Sequence, residues 1–448
     1  MLPRPLAYCL SVLMLCSCNG QGSYTAPAAG NFALNVTLSG LPVNNTTQVV
    51  IQNNNASSLT FTGNGVQSYA LPSGSSYNIT VTTQPSPMTC SVISGAGTNN
   101  TTNAVNVSVI CRQQYVFITN YGANTVSILG LGQASVLSAS PAVGTGNNPR
   151  RVVIHPSGQY AYVANYTDST ISQYTVGSGS LTAQSVPTVP CGSSGAGPYD
   201  LAVSPNGSFL YSVNINAGTI TQYSIASSGS ASGQLTQIGT PLFVGNGINS
   251  IAVDANSSFV YVTSIASALY TLQIQANGAL ALINQMQNGL YSPTAIVLSP
   301  GGKFAYVINS ATTTSNVYSI TNGVLTYSSP FSTGSVPHSI AFTPNGANAY
   351  VTNYGGTSSP GTTLSQYSVN VSTGALTLLN PASVASGHTG SAGPYAVVVD
   401  ANGNSVFDVN YNEGSVSQYA ISSTNSGAIS ISTPDATGLS SPTSIAVY

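Results

Sequence analysis

The sequence predicts an all-β protein in which a small β-sandwich precedes a seven-bladed β-propeller. Two observations lead to this prediction: a four-strand pattern recurs seven times from residue 113 onward, and the chain ends in an unpaired copy of one of those strands. The composition agrees, because 45 glycines and 25 prolines among 448 residues are typical of many short strands joined by turns.

The repeat contains a Tyr-Val-x-Asn motif or a close variant of it. The seven copies end 44 to 57 residues apart, at Asn120, Asn165, Asn214, Ser264, Asn309, Asn353 and Asn410. Each copy after the first follows a strand that closes in a tight turn, such as LAVSPNGS, and precedes two further strands, such as TITQYSI and the weaker GQLTQIG. Four strands in each of seven units predict seven propeller blades over residues 113–448.

The two ends of the repeat region indicate how the ring closes. The first unit lacks the strand that precedes the motif elsewhere, and the C-terminal segment SPTSIAVY is a copy of that strand. We therefore expect the C-terminal strand to complete the first blade, since an eighth blade or an open solenoid would leave it unpaired.

Residues 30–112 predict the sandwich. They alternate apolar and polar side chains in short runs, such as FALNVTL and SYNITVTT, and the run resembles the immunoglobulin-like modules of bacterial envelope proteins. Cys90 and Cys111 lie in neighbouring strand-like runs, so in an oxidising compartment we expect a disulfide between them. Cys191 has no obvious partner and is expected to be a spare surface thiol.

Residues 1–18 predict an export signal, because Arg4 precedes an apolar run that is too short to span a bilayer. The run ends in Leu15-Cys16-Ser17-Cys18, which resembles a bacterial lipobox and implies a lipid anchor on Cys18. An ordinary cleaved secretory signal is the alternative. Residues 19–29 predict a flexible tether. We expect a lipoprotein of the cell envelope, in the outer membrane or at the cell surface, or else a secreted protein.

Charge is scarce, with 12 Lys, Arg, Asp and Glu residues in the whole chain and a net charge of -2. This excludes nucleic-acid partners, which need clustered basic residues, and a basic membrane-binding stripe. No metal-ligand spacing or phosphate loop occurs, so we expect no metal and no other cofactor. We expect a monomer whose partner is a small polar ligand, an envelope protein or a glycan. So few titratable groups also predict a stability that changes little between about pH 4 and pH 8.

The loops that enter the first strand of every blade converge on one mouth of the central channel. Loops that leave the second strand reach the same face and bring Tyr121, Tyr166, Asp168 and Glu413. Of the ten charged residues after Arg112, six fall on this face, which in so uncharged a chain indicates a functional site. Just after the proline that begins the first strand, and in two blades one position further on, the chain has Arg150, Arg151, Tyr199, Asp200, Thr294, His338, Tyr395 and Thr443.

The Tyr-Val-x-Asn repeats and their Pro-Asn-Gly hairpins resemble the lactonase-type seven-bladed propellers, a superfamily that includes 6-phosphogluconolactonase-like and muconate-lactonising enzymes. The resemblance covers residues 113–448 and implies Arg and His residues at the loop position just described. Pro149-Arg150-Arg151 and Pro337-His338 match that pattern, whereas Tyr199 and Tyr395 depart from it. Two arginines are few for a phosphorylated lactone, and the same repeats also occur in non-enzymatic surface proteins.

Two functions follow as alternatives. In the first, the propeller is a binding or interaction module of the envelope, and its ligand contacts Tyr199, Asp200, Asp168, Tyr395, Thr294 and Thr443. In the second, it is a lactonase of a sugar or small organic acid. Arg150 and Arg151 would then clamp a carboxylate or stabilise an oxyanion, with His338 or Glu413 as acid and base. A separation of those four side chains by more than about 10 Å would exclude a shared substrate.

Overall fold

All regular structure in the described part of the chain is β-strand, and this part contains no helix that is long and apolar enough to cross a membrane. The chain divides into two compact units, Met1–Arg112 and Gln113–Tyr448. The predicted signal and tether, with Cys18, lie outside the described residues. The computed structural model describes residues 31–42, 47–85, 88–93, 95–98, 104–131, 137–287, 289–355, 362–387, 392–424 and 426–448.

The first unit is a sandwich of two four-stranded sheets. Its strands are β1 (Asn31–Ser39), β2 (Val49–Asn53), β3 (Ser57–Phe61), β4 (Gly65–Pro72), β5 (Ser76–Thr83), β6 (Met88–Ile93), β7 (Ala96–Thr98) and β8 (Val105–Gln113). They pair in the orders β4-β1-β8-β6 and β3-β2-β5-β7. Alternate side chains such as Leu34 and Val36 are buried, as the sequence pattern predicted, and they pack with Ile51 of the other sheet in one core. Cys90 and Cys111 are joined by a disulfide within that core.

The second unit is a ring of seven antiparallel sheets, the blades, and blade 1 contains both ends of the ring. Blade 1 consists of β9 (Tyr115–Asn120), β10 (Thr125–Leu131), β11 (Leu137–Gly144) and β37 (Pro442–Val447). Blade 2 consists of β12 (Pro149–Ile154), β13 (Tyr160–Asn165), β14 (Thr170–Gly177) and β15 (Ser180–Pro190). Blade 3 consists of β16 (Pro198–Val203), β17 (Phe209–Asn214), β18 (Thr219–Ile225), β19 (Leu235–Gln237) and the short β20 (Leu242–Phe243).

Blades 4 to 7 repeat the same four-stranded plan. Blade 4 consists of β21 (Ile248–Val253), β22 (Phe259–Ser264), β23 (Ala268–Ile274) and β24 (Leu280–Met286). Blade 5 consists of β25 (Pro293–Leu298), β26 (Phe304–Asn309), β27 (Thr314–Thr321) and β28 (Val324–Ser332). Blade 6 consists of β29 (Pro337–Phe342), β30 (Asn348–Asn353), β31 (Thr363–Val369) and β32 (Leu376–Ala385). Blade 7 consists of β33 (Pro394–Val399), β34 (Ser405–Asn410), β35 (Ser415–Ile421) and β36 (Ile429–Thr437).

The C-terminal strand closes the ring, which confirms the prediction. Strand β37 pairs with β9, with Ile445 opposite Ile118, and so becomes the first strand of blade 1. The first strands of neighbouring blades contact one another around the whole circle, including β33 with β37 and β37 with β12. Ile445 and Ile118 are buried together with Phe407 of blade 7, so packing rather than a covalent bond closes the ring.

The tyrosine of the repeated motif connects each of blades 2 to 6 to the following blade by a hydrogen bond. In blades 2 to 6 this tyrosine is buried, and its hydroxyl donates to the backbone oxygen of a glycine in the following blade. A buried phenol hydroxyl needs such an acceptor, so the bond both satisfies the tyrosine and holds neighbouring blades at a constant distance. Blades 1 and 7 have Phe117 and Phe407 at this position and lack the bond. The tyrosines are Tyr162, Tyr211, Tyr261, Tyr306 and Tyr350.

The asparagine of the motif organises the loops on the channel-mouth face. Asn165 ends the second strand of blade 2, and its Nδ2 donates to Thr170 and Ser172 of the third strand, at 2.9 Å each. Its Oδ1 accepts from the backbone N–H of Gly146, in the loop that enters the first strand. Asn353 repeats this arrangement in blade 6. One amide therefore fixes the relative positions of both loops on that face.

Cys191 is not a surface thiol, so that expectation is wrong. Its side chain is fully buried among apolar residues such as Leu201, and its Sγ donates to Asn214 Oδ1 at 3.1 Å. Burial raises the pKa of the Cys191 thiol above its ordinary value. A protonated, enclosed thiol is a poor nucleophile, so Cys191 has a packing role.

Candidate functional site

Each of the seven first strands has a β-bulge at the same place. The register shifts between the residue that begins the strand and the residue two positions later, so one residue per blade stands outside the ladder. All seven bulged residues line one recess, which we call the funnel. The bulge is the local feature that re-aims these side chains toward a common space. The bulged residues are Arg150, Tyr199, Asn249, Thr294, His338, Tyr395 and Thr443.

A left-handed residue precedes every one of these strands. Glycine or asparagine adopts a positive φ at low cost, and such residues stand before blades 2, 3, 4 and 7. Val336, before blade 6, has a φ of 48°, which is strained for a β-branched residue. This strain lies immediately before Pro337 and His338. The full set is Asn148, Gly197, Gly247, Ser292, Val336, Gly393 and Ser441.

The funnel contains most of the predicted site residues. Its cavity volume is about 70 Å³, and the cavity is open at the channel mouth. Of the predicted residues, Asp168 and Glu413 do not line it. Besides the seven bulged residues, the lining consists of Arg151, Asp200, Ser250, Ala295, Ser339 and Ala396.

Arg150 is the charged centre of the funnel. Its guanidinium carbon lies 4.2 Å from the ring centre of Tyr199, 5.3 Å from that of Tyr121, 5.8 Å from that of Tyr166 and 6.0 Å from that of Tyr395. Rings at these distances stabilise a cation electrostatically. Burial alone would lower the pKa of Arg150, but the neighbouring tyrosines raise it above the ordinary value, so the side chain stays charged.

Tyr395 connects the other functional groups. Its hydroxyl accepts a hydrogen bond from Arg150 Nη1 at 3.0 Å and lies 3.2 Å from the hydroxyl of Tyr199. Its ring stacks on the imidazole of His338, with centroids 3.7 Å apart and planes inclined by 36°. Arg150 and His338 thus both contact one side chain, which places them within reach of one small ligand.

His338 is neutral at physiological pH. Burial and, to a smaller extent, the positive charge of Arg150 lower its pKa to about 4, although a backbone hydrogen bond at Tyr395 opposes both effects. The funnel therefore holds one unpaired cation beside an uncharged imidazole. An imidazole in this state can accept a proton.

Arg151, in contrast, is paired. Its Nε lies 3.0 Å from Asp200 Oδ1, which is an ion pair, although the geometry of this contact is not that of a hydrogen bond. Asp200 is otherwise a backbone acceptor, because its Oδ1 accepts from the N–H of Leu201 and its Oδ2 from the N–H of Ile251. The hydroxyl of Ser250 also donates to Asp200 Oδ2 at 3.1 Å. This carboxylate compensates the charge of Arg151 and joins blades 3 and 4.

Thr294 and Thr443 line the funnel, but their hydroxyls bond to the protein. Thr294 Oγ1 donates toward the backbone oxygen of Pro337 at 3.2 Å, and Thr443 Oγ1 toward that of Pro149 at 3.0 Å. Asn249 Nδ2 donates to the oxygen of Pro293 in the same way. These bonds cross from one first strand to the next and hold the ring, so the three residues mainly shape the funnel.

Asp168 and Glu413 are not among the residues that line the funnel. Asp168 accepts from the backbone N–H and the Nδ2 of Asn147, at 2.7 and 2.8 Å, and so holds the loop that enters blade 2. Glu413 Oε2 accepts from Ser415 Oγ at 3.0 Å, within its own turn. Asp435 is the sixth charged residue that the sequence places on this face, and its side chain lies outside the described residues. Carboxylates collect on this face because loops with free N–H groups need acceptors.

Some features of the site were missed. The sequence placed Tyr121 and Tyr166 on this face but gave no sign that they pack on Arg150. Ser250 was not a candidate, although its position after the bulged Asn249 matches that of Arg151 and Asp200 in their blades. Within the described residues, no three His, Cys, Asp or Glu side chains are grouped so as to hold a metal ion.

The family model described as "Lactonase, 7-bladed beta-propeller" matches residues 132–262 and 316–442, which is more than half of the chain. A search of the curated proteins found no significant match. A putative 6-phosphogluconolactonase from Bacteroides fragilis superposes with a TM-score of 0.64 at 14% identity, over 75% of this chain and 98% of that one.

Two other solved structures are similar. A protein from Lactobacillus plantarum gives a TM-score of 0.63 at 19% identity, over 75% of this chain and 99% of its own. The periplasmic gluconolactonase of Pseudomonas aeruginosa gives a TM-score of 0.61 at 16% identity, over 75% of this chain and 99% of its own. At these identities the likeness establishes the fold alone.

Proposed function

Because this chain belongs to the lactonase family of seven-bladed β-propellers, we propose that its funnel binds a small cyclic ligand through a carboxylate or lactone carbonyl oxygen. The observation that supports this is the state of Arg150. Among the described residues that line the funnel, it is the one cation without a carboxylate partner, since Arg151 forms an ion pair with Asp200. Its Nε has no hydrogen-bond partner among the described residues. A buried donor of this kind needs an acceptor, and a ligand oxygen supplies one.

The same charge count argues against a phosphorylated ligand. A phosphate dianion is usually held by several cations or by a set of backbone N–H groups. Among its described lining residues, the funnel offers one guanidinium without a carboxylate partner and a neutral imidazole, His338. Unphosphorylated sugar lactones and aldonic acids fit this set.

The test is a thermal-shift and calorimetric screen of glucono-1,5-lactone, smaller γ- and δ-lactones and aldonates. Arg150→Gln should weaken binding about 30-fold or more, because it removes a charged hydrogen bond. Arg151→Gln is the matched control and should change affinity less than about threefold. Equal losses in both variants, or binding unaffected by Arg150→Gln, would contradict the proposal.

Hydrolysis of the bound lactone is the second candidate, and the position and charge state of His338 favour it. Water would attack the lactone carbonyl carbon while the neutral imidazole takes a water proton. Arg150 would stabilise the oxyanion, and cleavage of the ring C–O bond with return of the proton to the ring oxygen would give the hydroxy acid.

His338→Gln distinguishes the two functions. For a hydrolase, we expect turnover of glucono-1,5-lactone to fall at least about 100-fold with a small change in KM. For a binding module, wild type would bind the lactone yet match the uncatalysed rate. A pH-stat assay with Arg151→Gln as control measures both outcomes.

We also propose that the protein acts in the cell envelope, anchored through Cys18. The support is the sequence Leu15-Cys16-Ser17-Cys18 after an apolar run. Labelled palmitate should be incorporated into wild type and not into Cys18→Ala. Equal labelling of both would refute the anchor, whereas an unlabelled, exported wild type would favour ordinary secretion.

A further inference from the structure

Two opposite blades deliver a tyrosine to the funnel by the same local structure. Tyr199 of blade 3 and Tyr395 of blade 7 each follow a Gly-Pro pair and each occupy the bulge of the first strand. The two glycines have nearly equal positive φ values, 67° at Gly197 and 64° at Gly393. The two loops are therefore built alike, although their sequences differ elsewhere.

The glycines are required by the same neighbours in both places. A Cβ on Gly197 would lie 2.5 Å from Asn216 Nδ2 and 3.0 Å from Tyr166, both on the channel-mouth face. A Cβ on Gly393 would lie at the same two distances from Asn412 Nδ2 and from Tyr354. In each case the tyrosine of the preceding blade donates its hydroxyl to that asparagine, at 3.2 and 3.1 Å. A side chain at either position would collide with these two groups, so both positions require glycine.

The two tyrosines meet across the channel. Blades 3 and 7 are on opposite sides of a seven-bladed ring, yet the hydroxyls of Tyr199 and Tyr395 are 3.2 Å apart. Arg150, from blade 2, donates to the Tyr395 hydroxyl at 3.0 Å. The three groups therefore form one polar cluster over the centre of the channel.

Counting hydrogens shows what this cluster lacks. A guanidinium can only donate, so the Tyr395 oxygen must accept from Arg150. The two phenols together have two hydrogens, and their mutual hydrogen bond uses one of them. The structure shows no acceptor for the second hydrogen among the described residues. One phenol O–H is thus left to donate, next to the unpartnered Nε of Arg150.

We propose that the Tyr199–Tyr395 pair is a specificity-determining hydrogen-bond donor that, together with Arg150, receives the carbonyl oxygen of an unphosphorylated lactone. The inference rests on the proposed function and names the groups that select its ligand. Because phenols are uncharged, they can donate to a neutral carbonyl oxygen but add no positive charge to compensate a phosphate dianion. Burial raises the pKa of Tyr395 above its ordinary value, so the donor keeps its proton over the working pH range.

The test compares glucono-1,5-lactone with 1,5-anhydroglucitol, the cyclic ether that lacks only the carbonyl oxygen. Affinities of both are measured for wild type, Tyr199→Phe, Tyr395→Phe and the double variant. Each single variant keeps one phenol hydrogen free, because its partner no longer needs that hydrogen. The double variant has none.

We therefore expect each single substitution to weaken lactone binding less than about threefold and the double substitution to weaken it tenfold or more. The affinity for the cyclic ether should stay within about twofold of the wild-type value in all variants. If the tyrosines only shaped the funnel, the affinity for the ether would fall together with that for the lactone. Tyr291→Phe, at an exposed tyrosine outside the funnel, controls for the substitution itself. Hydrolysis rates, where turnover occurs, should follow the same order.

The outcomes separate the two claims. Lactone binding that is intact in the double variant but lost in Arg150→Gln overturns this inference and leaves the proposed function in place. Equal loss of lactone and cyclic ether in the double variant overturns it as well, because the carbonyl is then not the group recognised. A wild type that binds no lactone overturns both.

Discussion

The few charged side chains of this protein mostly serve the backbone. In the hairpin after a first strand, Asp254 accepts from three N–H groups and Asp400 from at least two. Asp168 and Asp200 accept from N–H groups on the channel-mouth face. Arg150 differs, because aromatic rings rather than a carboxylate surround it. For single residues, the indication of function is therefore Arg150, whose charge has no carboxylate partner, and not the number of charged residues on the channel-mouth face.

The first prediction concerns His338 and pH. Its pKa is about 4 when folded, against about 6.5 for an exposed histidine. Between these values the unfolded chain binds the extra proton, so stability falls as the pH drops below about 6.5. The loss should reach about 2 kcal/mol at pH 5 relative to pH 8. Chemical denaturation at several pH values measures it.

This revises the expectation that stability is nearly constant between about pH 4 and pH 8. His338→Gln removes the titrating group, so its stability should change less over this range than that of wild type. His155→Gln is the control, since that imidazole bonds Ser157 and Gly207 in a hairpin outside the funnel. Parallel curves for wild type and His338→Gln would refute the assignment.

At the scale of the element, the site is a property of the first strand. Around the ring, each first strand is preceded by a residue with a positive φ, begins in most blades with a proline, and has its bulge at the next position. The bulged side chain enters the funnel. The remaining strands support this arrangement through the motif asparagine and the inter-blade tyrosine bonds, such as that from Tyr306 to Gly374 at 2.8 Å. Function can change at the bulge with little effect on the blade, because the bulged residue is outside the ladder.

The second prediction concerns the strain at Val336. In blade 2 the equivalent position is Asn148, which also has a positive φ. Val336→Asn should therefore remove the conformational free-energy cost of a β-branched residue at positive φ. We expect a gain of about 1 kcal/mol in the free energy of unfolding. Val324→Asn, at an exposed strand position, should give no gain. A lower stability of Val336→Asn would show that contacts of the valine outweigh the strain.

At the scale of the whole molecule, closure is the decisive feature. The first strand of blade 1 comes from the last six-residue strand, Pro442–Val447, while the rest of that blade begins at Tyr115. Every other blade is continuous in sequence. The ring, and with it the funnel residue Thr443, is therefore complete only after the whole chain has been made.

The third prediction tests this closure. Deleting residues 442–448 removes the inner strand of blade 1 and exposes the apolar core around Ile118. We expect the midpoint of thermal unfolding to fall by at least about 10 °C, because a buried strand is lost from one cooperative unit. Adding a synthetic peptide of residues 442–448 should restore part of the loss. An unchanged midpoint would mean that closure contributes little to stability.

The sequence by itself determined the blades, their number and the closure, because these depend on local periodicity and on turn residues that repeat along the chain. It also determined which positions reach the channel mouth. Only the tertiary structure decided which of those residues act together. Arg150 and Tyr395 are 245 residues apart, and Tyr199 and Tyr395 are 196 apart.

No local pattern records such contacts, so the sequence grouped Glu413 with Arg150 and left Cys191 on the surface. The fold pairs Arg151 with Asp200, and burial decided the state of His338 and Cys191. These outcomes depend on distance and on exclusion of water, which exist only once the ring has closed.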